Sequence, residues 1–265
     1  MRKTVFFMIF LLAVVAGCQL NVRPTDDELR QSGIVVDRYD RVESTFLTMS
    51  DFASLHQMRS DYPVQTRTLV EDMLQLGPVT APDMSRRMLH FYQDSTLRAI
   101  ISDVGRQYND IDDIQQQLSS SFHRLGHLFP AMPMPHVYTQ IGALAQSIVV
   151  TDTLLGISLD KYLGSDYPVY LHYGYTANQR RMMTRQYIVP DCIGFYLLSL
   201  YPMPEQADSV PALRRWHMQK IQCIVNEAMT RKVFESDTIS RLEHFRMQHP
   251  HLSASEFLLL DSLAN

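Results

Sequence analysis

Residues 148–168, IVVTDTLLGISLDKYLGSDYP, and residues 180–201, RRMMTRQYIVPDCIGFYLLSLY, decide how this chain is read. The first stretch reads as two short strands. Leu155, Ile157 and Leu159 alternate with Leu154, Gly156 and Ser158, so one face of the second strand is expected to be buried. The second stretch reads as a broken apolar helix. Its helical run starts at Thr176, where Thr-Ala-Asn-Gln has the spacing of a capping box, and restarts at Pro190-Asp191.

Working outward, His136 to Gly142 sets Val137, Thr139 and Ile141 against Tyr138 and Gln140 and is a further strand. Short turns predict antiparallel pairing of this strand with Ser147–Val150 and Asp152–Asp160. Pro130, Pro133 and Pro135 end a helix running from Asn109 to Leu128 with Ile111, Ile114, Leu118, Phe122 and Leu125 inward. Before it, Pro82 opens a helix carrying Met84, Met88, Phe91, Tyr92, Leu97, Ile100 and Ile101, and residues 64–76 form another, stopped by Gly77-Pro78. Phe46, Leu47, Met49, Phe52 and Leu55 give one amphipathic helix from Val42 to about Leu55, ended near Asp61-Tyr62-Pro63. Ile34 to Asp40 is a short strand entering that helix. Downstream, Ser209 and Pro211 introduce a long helix to about Phe234, and Ser253-Ala-Ser-Glu256 caps a last short one. The sum is a mostly helical α+β domain over residues 34–265, with one small, largely antiparallel sheet in mid-chain.

The first residues, MRKTVFFMIFLLAVVAGC, place Arg2 and Lys3 before an apolar run from Val5 to Val15, then Val15-Ala16-Gly17-Cys18. The run is too short for a comfortable span and has the layout of a secretory signal. Small residues before a cysteine form a lipobox, which predicts a signal peptide over residues 1–17, cleavage before Cys18 and acylation of that cysteine. Acyl chains on Cys18 then hold the protein to a membrane without a span. Residues 18–33 are the tether, with Thr25-Asp-Asp-Glu28 as a second capping box. Gln19 replaces the Asp of an inner-membrane retention signal, and no acidic run follows Cys18. The expected place is the outer membrane, facing the periplasm. Without Arg2 and Lys3, 22 basic residues stand against 28 acidic ones, a net charge of −6. That balance argues against nucleic acid as a partner.

Several runs together resemble the gliding-motility lipoprotein GldB family of Bacteroidetes. They are the lipobox, Val35-Val36-Asp37-Arg38-Tyr39-Asp40, Phe129-Pro130 with Pro135-His136-Val137-Tyr138-Thr139, the run from Gly156 to Gly164, and Tyr187-Ile188-Val189-Pro190-Asp191. The resemblance covers about residues 34–201 and fades beyond, and its motif residues are Arg38, Asp40, Asp160, Tyr162, Gly164 and Asp191. The family in turn is distantly similar to zinc peptidases whose helix carries His-Glu-x-x-His. That likeness implies a zincin-like plan, but the matching positions here hold Pro190, Asp191 and Gly194. A catalytic zinc needs three protein ligands and an open position. With both histidines replaced, the resemblance implies a lost metal site, no zinc, no cofactor and no catalytic residues. The expected function is a non-catalytic, lipid-anchored envelope protein acting through protein contacts. The alternatives are a periplasmic hydrolase using Asp191, Glu227 or a histidine pair, and a peptide- or glycan-binding domain using the groove of the lost site.

Four features are weighed beside the motif. Asp191 is a remnant catalytic acid or, following Pro190, a carboxylate favoured at a helix N-terminus. Glu227 continues a stripe of Leu213, Trp216, Lys220 and Ile224, so it is expected as a buried acid satisfied by an arginine. On the zincin-like plan the two acids approach each other, with an arginine or lysine between them, Arg180, Arg181 and Arg185 being candidates, or with one acid holding a proton. His123 and His127 lie four apart, the spacing of a shared metal, but Leu125, Leu128 and Phe129 favour a structural pair within the core. Cys192 and Cys223 are expected as free core thiols, with a disulfide as the alternative that an exported setting permits.

Overall fold

The computed structural model describes residues 33–205 and 210–260. The lipobox, Cys18, the Thr25–Glu28 capping box and Ser209 lie outside the described residues. The N-terminal part is β1 (Val36–Asp37), α1 (Tyr39–Met49), α2 (Phe52–Ser60) and α3 (Pro63–Arg67), which runs on as a π-helical turn over Thr68–Met73. Then come α4 (Met84–Phe91), α5 (Ser95–Gln107) and α6 (Asp112–Leu128). The sheet resumes with β2 (His136–Gln140), β3 (Ile148–Val150) and β4 (Leu154–Ser158), the last leading into a 3-10 turn at Leu159–Tyr162. The rest is helical: α7 (Pro168–His172), α8 (Ala177–Met182), α9 (Ile188–Leu200), α10 (Pro211–Met229), α11 (Asp237–Gln248) and α12 (Ala254–Leu259).

The mostly helical α+β architecture with one small sheet is as expected, but the sheet is mixed. Its order is β1-β2-β4-β3. β1 pairs with β2 and β2 with β4 in parallel, and only β3 and β4 form the expected antiparallel pair. β4 inserts between β2 and β3, so the 141–147 connection carries β3 to the outer edge. All five residues of β4 are buried, not one face alone. A strand covered on both faces is what parallel pairing requires.

The sheet separates two cores. On one side Tyr138, Val149 and Leu154 meet Tyr39, Phe46, Leu55, Met58, Met84 and Met88 from the first four helices. On the other, Val137, Ile141, Leu155 and Ile157 meet α5, α6, α9, α10 and α12. Gly156 lies opposite Tyr138 in the ladder. A Cβ there would come within 2.5 Å of the Tyr138 ring, so the glycine is required by a close approach.

Three helix boundaries differ from expectation. The helix from Val42 to Leu55 is two helices, because Ser50 takes a left-handed conformation and Asp51 caps α2 through the Ala53 and Ser54 N–H groups. Met49 and Phe52, expected inward, flank this break and are exposed. The helix opened by Pro82 is also two, with Asp94 capping α5. In the C-terminal part, α11 is an additional helix, capped by Ser236 on the Ile239 N–H. The capping boxes at Thr176/Gln179 and Ser253/Glu256 are formed.

Candidate functional site

The motif residues gather around the ends of the parallel strands. Arg38 forms a two-pronged pair with Asp40, both contacts at 2.8 Å, and its Nη2 also donates to the Tyr108 carbonyl at 2.8 Å. Asp40 accepts in addition from the Thr139 hydroxyl of β2. This ties the entry of α1 to β2 and to the end of α5.

Beyond β2 the chain turns through Ala143 and Leu144, both at positive φ. Asp160, at the end of β4, receives the amides this turn directs inward: Gly142 N donates at 2.8 Å and Leu144 N at 2.5 Å. Glu43 of α1 accepts from Ile141 N at 2.9 Å. Burial pushes the Asp160 carboxyl up, against the Leu144 and Gly142 N–H bonds and the charge of Lys161. Burial likewise holds Glu43 well above the usual carboxylate range, with the Ile141 N–H opposing and Asp160 and Asp40 adding to the rise. Tyr170 donates to the Asp160 carbonyl and accepts from Leu163 N, which fixes the turn leading to Gly164. Gly164 has φ +120° and donates its N–H to the Met183 carbonyl, so its role is in the backbone.

Tyr162 completes the set. Its ring is buried and its hydroxyl donates to Asp191 Oδ2 at 2.7 Å. Asp191 sits in the first turn of α9. Burial raises its carboxyl to about 7, opposed by the Tyr162 hydrogen bond. The neighbouring Cys192 thiol is held well above its ordinary value, by burial first and then by Asp191.

Glu227 lies elsewhere in chemical terms. The helices that carry the two acids pack side by side, α9 on α10, with β3 and β4 along α9. Yet Glu227 is an exposed residue, not a buried one, because its stripe drifts to the surface near the end of α10. Arg246 of α11 grips it through Nε at 2.9 Å and Nη2 at 3.2 Å. The groups acting on Asp191 are its burial and Tyr162, not the charge of Glu227. None of the expected arginines is shown between the two acids, and Arg181 is exposed. Arg185 pairs with Asp113, and Arg180 donates to the Tyr175 and Ser165 carbonyls.

Beside Glu227 opens a cleft of about 1000 Å³, formed by the ends of α6 and α10 with α11 and the start of α12. Leu128, Cys223, Met247 and Leu252 supply apolar lining, and His127, Glu227, Lys232, Glu243 and Arg246 supply polar groups. The structure corrects the placement of His123 and His127. Both rings are exposed on α6, and their Nε2 atoms face each other at 3.2 Å. Leu125 and Phe129 pack inward from the opposite face of the same turns. Cys192 and Cys223 are free, buried thiols.

Sequence reasoning missed Glu43, the Tyr162 donor and the amide cradle on Asp160. A signal for Glu43 existed. It stands four residues after Tyr39 and three before Phe46, on the buried stripe of α1.

A family model described as gliding motility protein GldB matches residues 26–213. No curated protein and no solved structure matches the chain. Most of the cleft lining, from Cys223 to Ala254, lies beyond the matched segment.

Proposed function

The chain belongs to the gliding motility protein GldB family, and from that premise we propose a non-catalytic lipoprotein that works through protein contacts in gliding or a related surface process. Membrane anchoring follows from the family; attachment through Cys18 to the outer membrane, facing the periplasm, is part of the proposal. One observation carries the non-catalytic reading. Both acids that a degenerate peptidase would use have internal partners, Tyr162 for Asp191 and Arg246 for Glu227. The remaining motif acids accept from backbone amides or from Arg38. A general acid or base must reach a substrate proton; Asp191 and Asp160 are turned to the fold instead, and Glu227, though exposed, is held in a two-pronged pair by Arg246. Pro190 and Gly194, at the positions of the peptidase histidines, have no side-chain ligand to offer a zinc ion.

The test is complementation of a deletion strain with wild type, Cys18→Ser, Asp191→Asn and Glu227→Gln. Surface spreading and envelope fractionation are the readouts. Cys18→Ser is expected to leave the membrane fraction and fail, while both acid variants restore spreading. Loss of spreading in Asp191→Asn at normal abundance would overturn the non-catalytic reading in favour of a hydrolase. The cleft beside Glu227 favours a second reading, a peptide- or glycan-binding domain. Its mark would be loss of spreading when Met247→Glu blocks the cleft of a stable, correctly anchored protein.

A further inference from the structure

We propose that His123 and His127 form a two-histidine chelate for a divalent transition-metal ion on the exposed face of α6. Four residues apart on a helix of 17 residues, the rings project one turn from each other. Their Nε2 atoms converge to 3.2 Å, with the rings at 89°. An ion held 2.0–2.1 Å from each nitrogen, the usual imidazole distance, would subtend an angle of about 100° at that separation. This lies between the square and tetrahedral values, so the separation suits two neighbouring ligands once each exposed ring turns its Nε2 lone pair off the line between the nitrogens. In the metal-free pair one Nε2 donates its hydrogen to the other. Binding the ion beside that line breaks the hydrogen bond, and the donor ring moves its proton to Nδ1 so that both Nε2 lone pairs are free to ligate.

Imidazole pairs favour Cu²⁺ over Ni²⁺ and Zn²⁺, and disfavour Mg²⁺ and Ca²⁺, which take oxygen ligands. Among the described residues no group of three His, Cys, Asp or Glu side chains stands at metal-binding spacing. Two protein ligands leave the other positions to water or to a molecule in the cleft that His127 lines. The site is therefore an exchangeable one, distinct from a closed structural zinc site and from the peptidase positions on α9.

The experiment titrates Cu²⁺, Ni²⁺, Zn²⁺ or Mg²⁺ chloride into the full chain, purified in detergent and stripped with EDTA. About one Cu²⁺ per chain is expected, with the electron paramagnetic resonance spectrum of two imidazole nitrogens. His123→Gln and His127→Gln should each weaken binding about 100-fold by removing the chelate, and His56→Gln should leave it unchanged. Circular dichroism confirms that the exposed substitutions leave the fold intact. Wild-type affinity in either histidine variant, equal binding of Mg²⁺, or no copper bound at micromolar concentration overturns the proposal. None of these outcomes bears on the spreading test above.

Discussion

Asp191→Asn should make the protein less sensitive to pH, and the structure sets the size of the effect. The Asp191 carboxyl rises from an ordinary 3.8 to about 7 because burial outweighs the Tyr162 hydrogen bond. A group whose folded pKa is raised binds its proton more tightly in the folded state. Its contribution to stability is complete below pH 4, falls as pH climbs toward 7, and is gone above. At 1.36 kcal/mol per pH unit, the whole window amounts to about 4 kcal/mol. Asp191 keeps some exposure, and the N-terminal end of α9 favours the charge by up to about 1 kcal/mol, so about 2–4 kcal/mol is the working range. Asparagine keeps the shape and an oxygen for the Tyr162 hydroxyl, but cannot ionise. Urea unfolding of both proteins at several pH values from 4 to 8 isolates the term, since Glu43 and Asp160 titrate in both. The variant should gain on wild type by about 2–4 kcal/mol between pH 4 and pH 8. A difference that stays flat across that range, or a wild type that gains on the variant as pH rises, would refute the reasoning.

Three further outcomes follow from other contacts. Asp160→Ala strips the acceptor from the Gly142 and Leu144 amides and should cost about 2–6 kcal/mol, at about 1–3 per buried unpaired group; Asp160→Asn, which keeps one oxygen, should cost less, and equal losses in denaturant midpoint would count against the cradle. Gly156→Ala should lose about 1–3 kcal/mol to overpacking against Tyr138, and Tyr138→Phe should restore little because ring carbon Cζ is as close as the hydroxyl. Burial lifts the Cys223 thiol to about 12 and Cys192 well above its ordinary value, so neither should react with a thiol reagent at pH 8 until urea unfolds the chain; rapid labelling of both in the native protein would contradict their burial.

What was legible in the sequence was local. The capping boxes at Thr176 and Ser253 needed only four residues each, and both formed. The alternation in β2 and β4 marked strands because side chains of opposite parity enter different cores. The break between α1 and α2 was less visible, since Leu47 and Leu55, eight residues apart, keep a helical phase across it while Asp51 stops the helix. Only Ile239 and Leu242 of α11 are buried, too few to stand out as a stripe. The order of the strands was out of reach. Short connections suggest hairpins, and nothing in residues 141–147 alone says that β4 will slip between its predecessors. His123 and His127 were misplaced for a related reason. Neighbours of core type in sequence lie on the opposite face of the helix.

The motif acids and the mixed sheet explain each other. For β3 to reach the outer edge, the chain leaving β2 must turn through two non-glycine residues at positive φ, Ala143 and Leu144. Such a turn directs amides inward, away from any strand partner. Unpaired, each would cost about 1–3 kcal/mol. Asp160 stands at the end of β4, the strand inserted between β2 and β3, and takes two of these amides; Glu43 takes the one before. Lys161 closes the turn from the other side through the Leu144 carbonyl. The Leu-Asp-Lys-Tyr run therefore binds the crossover with its Asp and Lys, and its Tyr162 reaches Asp191 at the head of α9. Buried acids thus fix the path of the backbone where the chain crosses from β2 to β3.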